Sequence, residues 1–422
     1  MPSAEERAFF DSIRDEPADD GPRLIYADWL EEHGQPDRAE FARLQVALDR
    51  LPDDDPRRSE LRERERVLRD ANEARWSADL APLVTGWEFR RGVIDSVSVD
   101  ANQFLTAGAA IFELAPVRKV RFFDVGDRLA KLVQSPLLSH VRELDLSGND
   151  LGNRGPILLG KSKHLVRLDA LDLSFNEFGD KGLEALANSP VFGKLKALLI
   201  TGTGNMRFGV PGLRALASSQ HLTELIRLDV SGNSLPDVAI RTLLDGSATR
   251  NLRQLFLHGN RLGDSGTAAF AESFVFAKMA EQDRVIDLRR VDMGPTGARA
   301  LARARYLATV EALDLEGNSL GDHGLAALAA SEHLTQLRIL SLKENRISDD
   351  GVLALARSPL METLRVLDLT GNVVREDSLE RLREASVAHN WQRQLQLIVD
   401  SHLRTRLRPF GPFGGYFHRP LP

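Results

Sequence analysis

Seven times between Val141 and Val374 the chain runs through one frame of apolar positions that closes on Asn: VRELDLSGNDLG, LDALDLSFNEFG, LIRLDVSGNSL, LRQLFLHGNRLG, VEALDLEGNSLG, LRILSLKENRIS and LRVLDLTGNVV. The closing residues are Asn149, Asn176, Asn233, Asn260, Asn318, Asn345 and Asn372. Weaker copies put Thr203 and Val291 in the two gaps, and most spacings are then 27 residues. The frame extends backward through Val117, Val120, Phe122 and Val125, and before that through Ile94, Val97, Val99 and Asn102, at shorter spacings of 23 and 24 residues; eleven repeats result. A period of this length holds a short strand, a turn and a return helix. One such unit cannot bury its apolar face alone, so neighbours must stack. A chain of 422 residues, longer than one compact core usually holds, can grow in this way in one dimension.

The frame resembles the leucine-rich-repeat family, and its repeat length with helix-type return segments resembles the ribonuclease-inhibitor subclass, to which activators of Ran-type GTPases also belong. The resemblance implies an α/β fold: a leucine-rich-repeat solenoid, or horseshoe, over residues 86–390, with parallel strands on the concave side and helices outside. Asn suits the turn because its side chain bonds backbone groups that the bend leaves unpaired. In the return segment Gly179 to Ala187, Asp180 is expected to cap its own helix, and Asp264, Asp322 and Asp349 stand in the same slot. Leu395, Leu397 and Val399 are expected to form a capping strand.

Residues 1–50 lack the repeat and read as three helices, with Phe9, Phe10 and Ile13, then Leu24, Ile25, Trp29 and Leu30, then Phe41, Leu44, Val46 and Leu48 on their apolar faces. Pro17, Pro22, Gly34 and Pro36 separate them. The run DGPRLIYADWLEEHG from Asp20, followed by Arg38-Ala39-Glu40-Phe41 and Leu44-Gln45, resembles the repeat-companion domain, a bacterial module that precedes leucine-rich repeats. That resemblance names a small all-α domain and no activity; Tyr26 and Trp29 read as its core stripe. Residues 51–85 form a connector, with Asp53 to Asp55 as linker, Pro56 at a helix start, and Glu60–Arg64 and Glu65–Arg69 pairs along a solvated helix.

The formal charge of −6 is too small to argue for nucleic acid, and no apolar run reaches the length of a membrane helix. The acidic start lacks a secretory signal, which points to the cytoplasm. There is no cysteine, so disulfides, thiolate metal sites and cysteine nucleophiles are excluded. Residues 155–162 match the phosphate-loop pattern GxxxxGK[ST] letter for letter. The repeat register, however, puts Gly155, Leu158 and Leu159 in the slots of Gly182, Ala185 and Leu186, inside a return helix. His164, His221 and His333 recur just before new repeats, which reads as a structural position. These observations predict a chain that is not an enzyme and takes no cofactor and no metal.

Strand side chains alternate, so one position per repeat points into the groove. It reads Ser98, Arg121, Asp145, Asp172, Leu199, Asp229, Phe256, Asp287, Asp314, Ser341 and Asp368; six of the eleven are aspartate. One reading makes this an acidic surface for a basic segment of a protein partner, with Gln254, Phe256, His258, Arg289 and Lys343 giving local specificity. The other makes Leu-Asp-Leu a habit of the repeat, partly neutralised by Arg142, Arg167 and Arg227. The expected function is a non-enzymatic protein-binding scaffold, or else, by analogy with the Ran-activator relatives, a regulator of a GTPase or kinase. The tail within 391–422 combines arginines with Phe410, Phe413, Tyr416 and Phe417 and reads either as a disordered tail, for which its Pro and Gly content is usual, or as a docking segment, onto a partner or over the last repeats. The sequence sets no oligomeric state.

Overall fold

The computed structural model describes residues 2–52, 55–202, 208–388 and 395–399. Its contacts divide the chain into two compact units, one of Met1–Leu151 with Ile157–Asn176, the other of Gly152–Pro156 with the residues from Glu177 onward.

The first unit begins with α1 (Ala4–Asp15), α2 (Gly21–Glu32), α3 (Pro36–Arg50) and α4 (Arg58–Trp76). Ser3 caps α1 by accepting from the Glu6 N–H. Phe10, Ile13, Tyr26, Ala27 and Leu30 close a core that Val93 completes. Tyr26 is fully buried, with its hydroxyl donating to Glu6 at 2.6 Å. Ile25, expected inside, is 59% exposed; α2 is turned so that Arg23 takes the buried place instead, donating to the Asp19 carbonyl. The connector helix is exposed along most of its length and packs one side on α3. Arg64 leaves Glu60 for Glu40 on α3 at 2.7 Å, Gln45 donates to the buried Glu65, and Phe41 packs on Trp76. Of the two expected pairs Glu65–Arg69 forms along the helix, at 3.6 Å, and Arg66 adds bonds to Glu63 and Asp70. Asp53 and Asp54 lie outside the described residues.

Next comes a hairpin that the repeat frame hides: β1 (Gly86–Arg90) runs antiparallel to β2 (Val93–Asp100). Its two-residue loop, Arg91 at φ 50° and Gly92 at φ 90°, has the positive φ pair of a tight hairpin turn. Gly92 is needed twice over, since a Cβ there would sit 2.6 Å from the Ala42 Cα. Asn102 does not close a turn. It lies in α5 (Ala101–Leu114), which Asp100 caps by accepting from the Asn102 and Gln103 N–H groups. After α5, β3 (Lys119–Phe123), α6 (Leu129–Leu132), β4 (Glu143–Asp145), α7 (Arg154–Leu159) and β5 (Ala170–Asp172) follow, with β2 to β5 parallel and in register.

The second unit repeats a strand and a return helix: α8 (Asp180–Ala187), β6 (Ala197–Leu199), α9 (Val210–Ala217), β7 (Arg227–Asp229), α10 (Asp237–Leu244), β8 (Gln254–Phe256), α11 (Gly263–Glu272), α12 (Phe274–Gln282), β9 (Val285–Asp287), α13 (Pro295–Ala302), β10 (Ala312–Asp314), α14 (Gly321–Ala329), β11 (Ile339–Ser341), α15 (Asp349–Ala356), β12 (Val366–Asp368), α16 (Glu376–Ala388) and β13 (Gln396–Ile398). Strands β6 to β8 pair in parallel, as do β9 to β13. The central residue of each of β6 to β12, leucine in all but β9, where it is Ile286, and the apolar faces of the helices fill the interior. Thr203 lies outside the described residues.

Polar ladders hold successive repeats together. Asn318 donates to the carbonyls of Leu288 and Leu315 and accepts from the N–H groups of Val291 and Met293 one repeat earlier. At the helix starts, the expectation for Asp180 fails in an instructive way. The N-cap of α8 is Gly179 and no side chain caps it from within. Asn153, one repeat back, accepts from the Gly179 and Gly182 N–H groups instead. Asp180 does the same for Gly209 and Gly212, and Asp264 for Gly294 and Gly297. Asp322 accepts from the Ser348 N–H and Asp349 from that of Arg375. The reason is spatial: a neighbouring carboxylate supplies the acceptor a glycine cap lacks, and a Cβ at Gly297 would stand 2.8 Å from the Asp264 Oδ1. At the helix ends, Ser219 and Ser331 donate back to the Ala187 and Ala302 carbonyls and accept from the N–H groups of His221 and His333, which gives those histidines their structural position.

Candidate functional site

The groove positions fall into one row within each unit. Arg121, Asp145 and Asp172 are partners across β3, β4 and β5. In the second unit, Leu199, Asp229 and Phe256 are partners, as are Asp287, Asp314, Ser341 and Asp368. The aspartates do not simply end in solvent, as a bare acidic column would. Every one of the six accepts from the N–H two residues on, at 2.9–3.0 Å: Ser147 for Asp145, Ser174 for Asp172, Ser231 for Asp229, Arg289 for Asp287, Glu316 for Asp314 and Thr370 for Asp368. Each carboxylate thus ties off the turn that follows its strand, the local habit of Asp in bends. The arginines named as neutralisers do other work. Arg142 bonds Asp169, Arg167 bonds Asp15, and the Arg227 guanidinium lies 5.3 Å from the Phe256 ring centroid. The column's own cations are Arg121, 3.6 Å from Asp145, and Arg289.

Arg289 sits between two buried carboxylates. It meets Asp287 at 2.9 and 2.7 Å and Asp314 at 3.4 Å, while His258 Nδ1 stands 3.5 Å from Asp287. Burial works against its charge, but the bonds to Asp287 and the negative charges of Asp287, Asp314 and Glu316 outweigh it and hold the guanidinium above its usual range. Burial, and then the charge of Asp287, push the Asp314 carboxyl up to about 7. One strand further, Lys343 bonds Glu316 at 2.5 Å and lies 3.3 Å from Glu344, and Arg290 reaches Glu316 at 3.4 Å. His258, Arg289, Glu316 and Lys343 therefore form a polar row beside the aspartates, two residues further along their strands, in which Arg289, Glu316 and Lys343 carry charge. Glu316 was not singled out from the sequence, although its place in the frame, between Arg289 and Lys343, was the signal for it.

The Asp314 shift has a sign that can be tested. Its folded-state carboxyl keeps a proton to about pH 7, whereas an unfolded aspartate releases its proton near pH ~3.9. The folded chain binds the extra proton between those values, so this group's contribution is full below the lower pKa and is lost as pH rises through the upper one. Asp314→Asn keeps an acceptor for the Glu316 N–H and removes the titration. Urea midpoints followed from pH 5 to 8 should fall with pH more steeply in the native chain than in the variant, by up to about 1.4 kcal/mol per pH unit. Parallel curves would show that Asp314 does not titrate in this window.

The first five residues of the phosphate-loop match lie in α7, which ends at Leu159; Gly160 and Lys161 form the turn after it, and the Ser162 hydroxyl donates to the Val133 carbonyl at 2.7 Å. Among the described residues no group of His, Asp and Glu side chains is placed to hold a metal ion, and no helix is long and apolar enough to cross a membrane. Phe410, Phe413, Tyr416 and Phe417 lie outside the described residues.

The family model described as Leucine Rich repeat matches residues 138–159, 162–187, 306–329 and 333–356, so the chain carries leucine-rich repeats. An internalin (inlF) from Listeria monocytogenes str. 4b F2365 is similar in structure, with TM-score 0.40 and 16% identity over 73% of this chain and 81% of that one. The Rad7 and Elc1 complex in yeast provides a chain with TM-score 0.44 and 16% identity, covering 94% of this chain and 98% of that one. No curated protein matches the sequence.

Proposed function

We propose that this leucine-rich-repeat chain is a cytoplasmic, non-enzymatic scaffold that binds a protein partner through the strand face of its second unit. Its α1 to α3 region is read as a repeat-companion domain on the resemblance of residues 20–45. The observation that carries the proposal is the contrast between two adjacent rows. The aspartates, at four of the second unit's seven groove positions, are committed to turns, whereas the row two residues on changes through Ser231, His258, Arg289, Glu316, Lys343 and Thr370. A row that varies at fixed spacing on a rigid ladder can discriminate between partners. Phe256, half-buried beneath Arg227, adds an aromatic anchor at the same face.

Affinity capture with the full chain tests this. Paired His258→Ala and Lys343→Ala substitutions should reduce recovery of the bound protein by about tenfold, the effect of losing ~1.4 kcal/mol of contact. Val238→Ala, at an exposed position of α10, should leave recovery unchanged. Recovery that survives the strand-face pair and falls with Val238→Ala would overturn the assignment.

A further inference from the structure

The residues that precede the strands carry a different charge balance in the two units. In the first unit Arg118, Arg142 and Asp169 precede β3, β4 and β5, and Asp95 of β2 stands level with them. They neutralise one another, Arg118 meeting Asp95 at 2.5 and 2.9 Å and Arg142 meeting Asp169 at 3.2 Å. In the second unit the same row reads Lys196, Ile226, Arg253, Arg284, Glu311, Arg338 and Arg365, five bases and one acid. Arg253, Arg284, Arg338 and Arg365 are all exposed. Glu311 accepts from Arg284 at 2.6 Å and lies 3.8 Å from Arg338, so one carboxylate serves two guanidinium groups. Among the described residues, the side chains of Arg253 and Arg365 have no partner.

The backbone ladder fixes this row. The Glu311 N–H donates to the Arg284 carbonyl, that of Arg338 to Glu311 and that of Arg365 to Arg338, each at 2.8 Å. With neighbouring strands about 4.8 Å apart, the rim from Arg284 to Arg365 spans about 14 Å. Beside it runs an apolar row in register, Val285, Ala312, Ile339 and Val366, which separates the arginines from the aspartates; Ile339 and Val366 in it are half-buried. Since the aspartates are bound to turn N–H groups, the exposed charge at this rim is positive, in a chain whose net charge is −6. We propose that the docking segment of the protein partner is acidic, with carboxylates paired to Arg253, Arg284, Arg338 and Arg365 along the rim and apolar side chains resting on Ile339 and Val366. A guanidinium fork meets a carboxylate through two parallel bonds, which sets orientation as well as affinity. Single-stranded nucleic acid fits less well, because its bases need aromatic platforms and the phenyl ring on this face, Phe256, already has the Arg227 guanidinium against it. The inference rests on the partner reading and adds the chemistry of the partner.

The test uses the full chain and two fluorescein-labelled probes of similar charge, decaglutamate and decathymidylate, at low salt, where exposed charges are least screened. Decaglutamate should bind, and Arg338→Gln combined with Arg365→Gln should weaken its binding about tenfold. Both positions are exposed, so thermal unfolding of this variant should match that of the native chain. Arg214→Gln combined with Arg299→Gln removes the same charge from exposed positions on α9 and α13 and should change binding by less than about twofold. Equal losses from the two pairs would overturn the proposal, since bulk charge would then be the cause, and so would a chain that does not bind decaglutamate. Tighter binding of decathymidylate through Arg338 and Arg365 would overturn it by assigning the rim to nucleic acid. The affinity capture described above separates this proposal from the one beneath it. Recovery that falls with the His258 and Lys343 substitutions but survives the Arg338 and Arg365 pair would leave the scaffold standing and remove the acidic segment.

Discussion

Replacing Asn176 by alanine is expected to destabilise the first unit by roughly 3 to 5 kcal/mol. The side chain is fully buried, donates to the carbonyls of Leu146, Leu173 and Ser174, and accepts from the N–H groups of Asn149 and Leu151. Alanine leaves the buried Leu151 N–H and the half-buried Asn149 N–H without an acceptor, at about 1 to 3 kcal/mol each, and opens a small void besides. The control is Asn372→Ala. Asn372 makes the same kind of bonds, to Leu342 and Leu369 and from Asn345 and Ile347, but is half-buried, so water can take over. Its replacement should cost about 1 to 2 kcal/mol. Urea unfolding checks the pair, supported by hydrogen exchange because repeat arrays can depart from two-state behaviour. Equal costs at the two positions would mean that burial of the backbone groups is not what the asparagine is for.

The ladder behind that prediction was legible because its signal is periodic. A side chain required once per repeat at one backbone position recurs in the sequence, and Asn is suited to a bend that orphans backbone groups. Even a weak copy holds: Val291 occupies an Asn slot, is fully buried, and its N–H still finds Asn318. The edges of the array were harder to read. Asn102 sits at the expected interval but in the first turn of α5, because Asp100 two residues earlier offers a stronger helix start. The hairpin of β1 and β2 was missed although two strand-like runs are separated by just Arg91 and Gly92, a spacing that itself predicts a tight turn. A repeat frame imposed from downstream masked that local signal.

The groove shows a different limit. Register put the six aspartates into rows and alternation placed them on the outer face, but neither says whether a carboxylate is free. Their common bond to the N–H two residues on depends on the turn that follows each strand, and the same turn explains why Leu-Asp-Leu recurs. The Asp180 family was misread in a related way. Position at a helix start suggested a cap within the repeat, whereas the partner lies one repeat away at glycines such as Gly209 and Gly212. The sequence did carry a trace of it. Asp-x-Gly recurs at Asp180 to Gly182, Asp264 to Gly266, Asp322 to Gly324 and Asp349 to Gly351, and a glycine at such spacing marks close approach by something outside the helix.

Asp95→Ala should be the most damaging single charge deletion in the first unit, at about 3 to 5 kcal/mol. Asp95 on β2 and Arg118, just before β3, are both buried and meet through two bonds, at 2.5 and 2.9 Å, while the Arg118 N–H donates to the Asp95 carbonyl at 2.9 Å. Burial alone would lower the Arg118 pKa, but the bonds and charge of Asp95 raise it above its usual range, so the guanidinium stays ionised. Removing the aspartate strands that cation in a site where desolvation is already unfavourable, with Arg23 and its pKa lowered to about 10 close enough to repel it. Removing both charges is a different experiment. Asp95→Ala combined with Arg118→Met leaves the backbone bond in place and buries no unpaired ion, so the double variant should recover about 2 kcal/mol or more relative to Asp95→Ala alone. Thermal and urea unfolding of the native, single and double variants closes the cycle. If the double variant is no more stable than Asp95→Ala, the loss comes from packing around β2 and not from a stranded arginine.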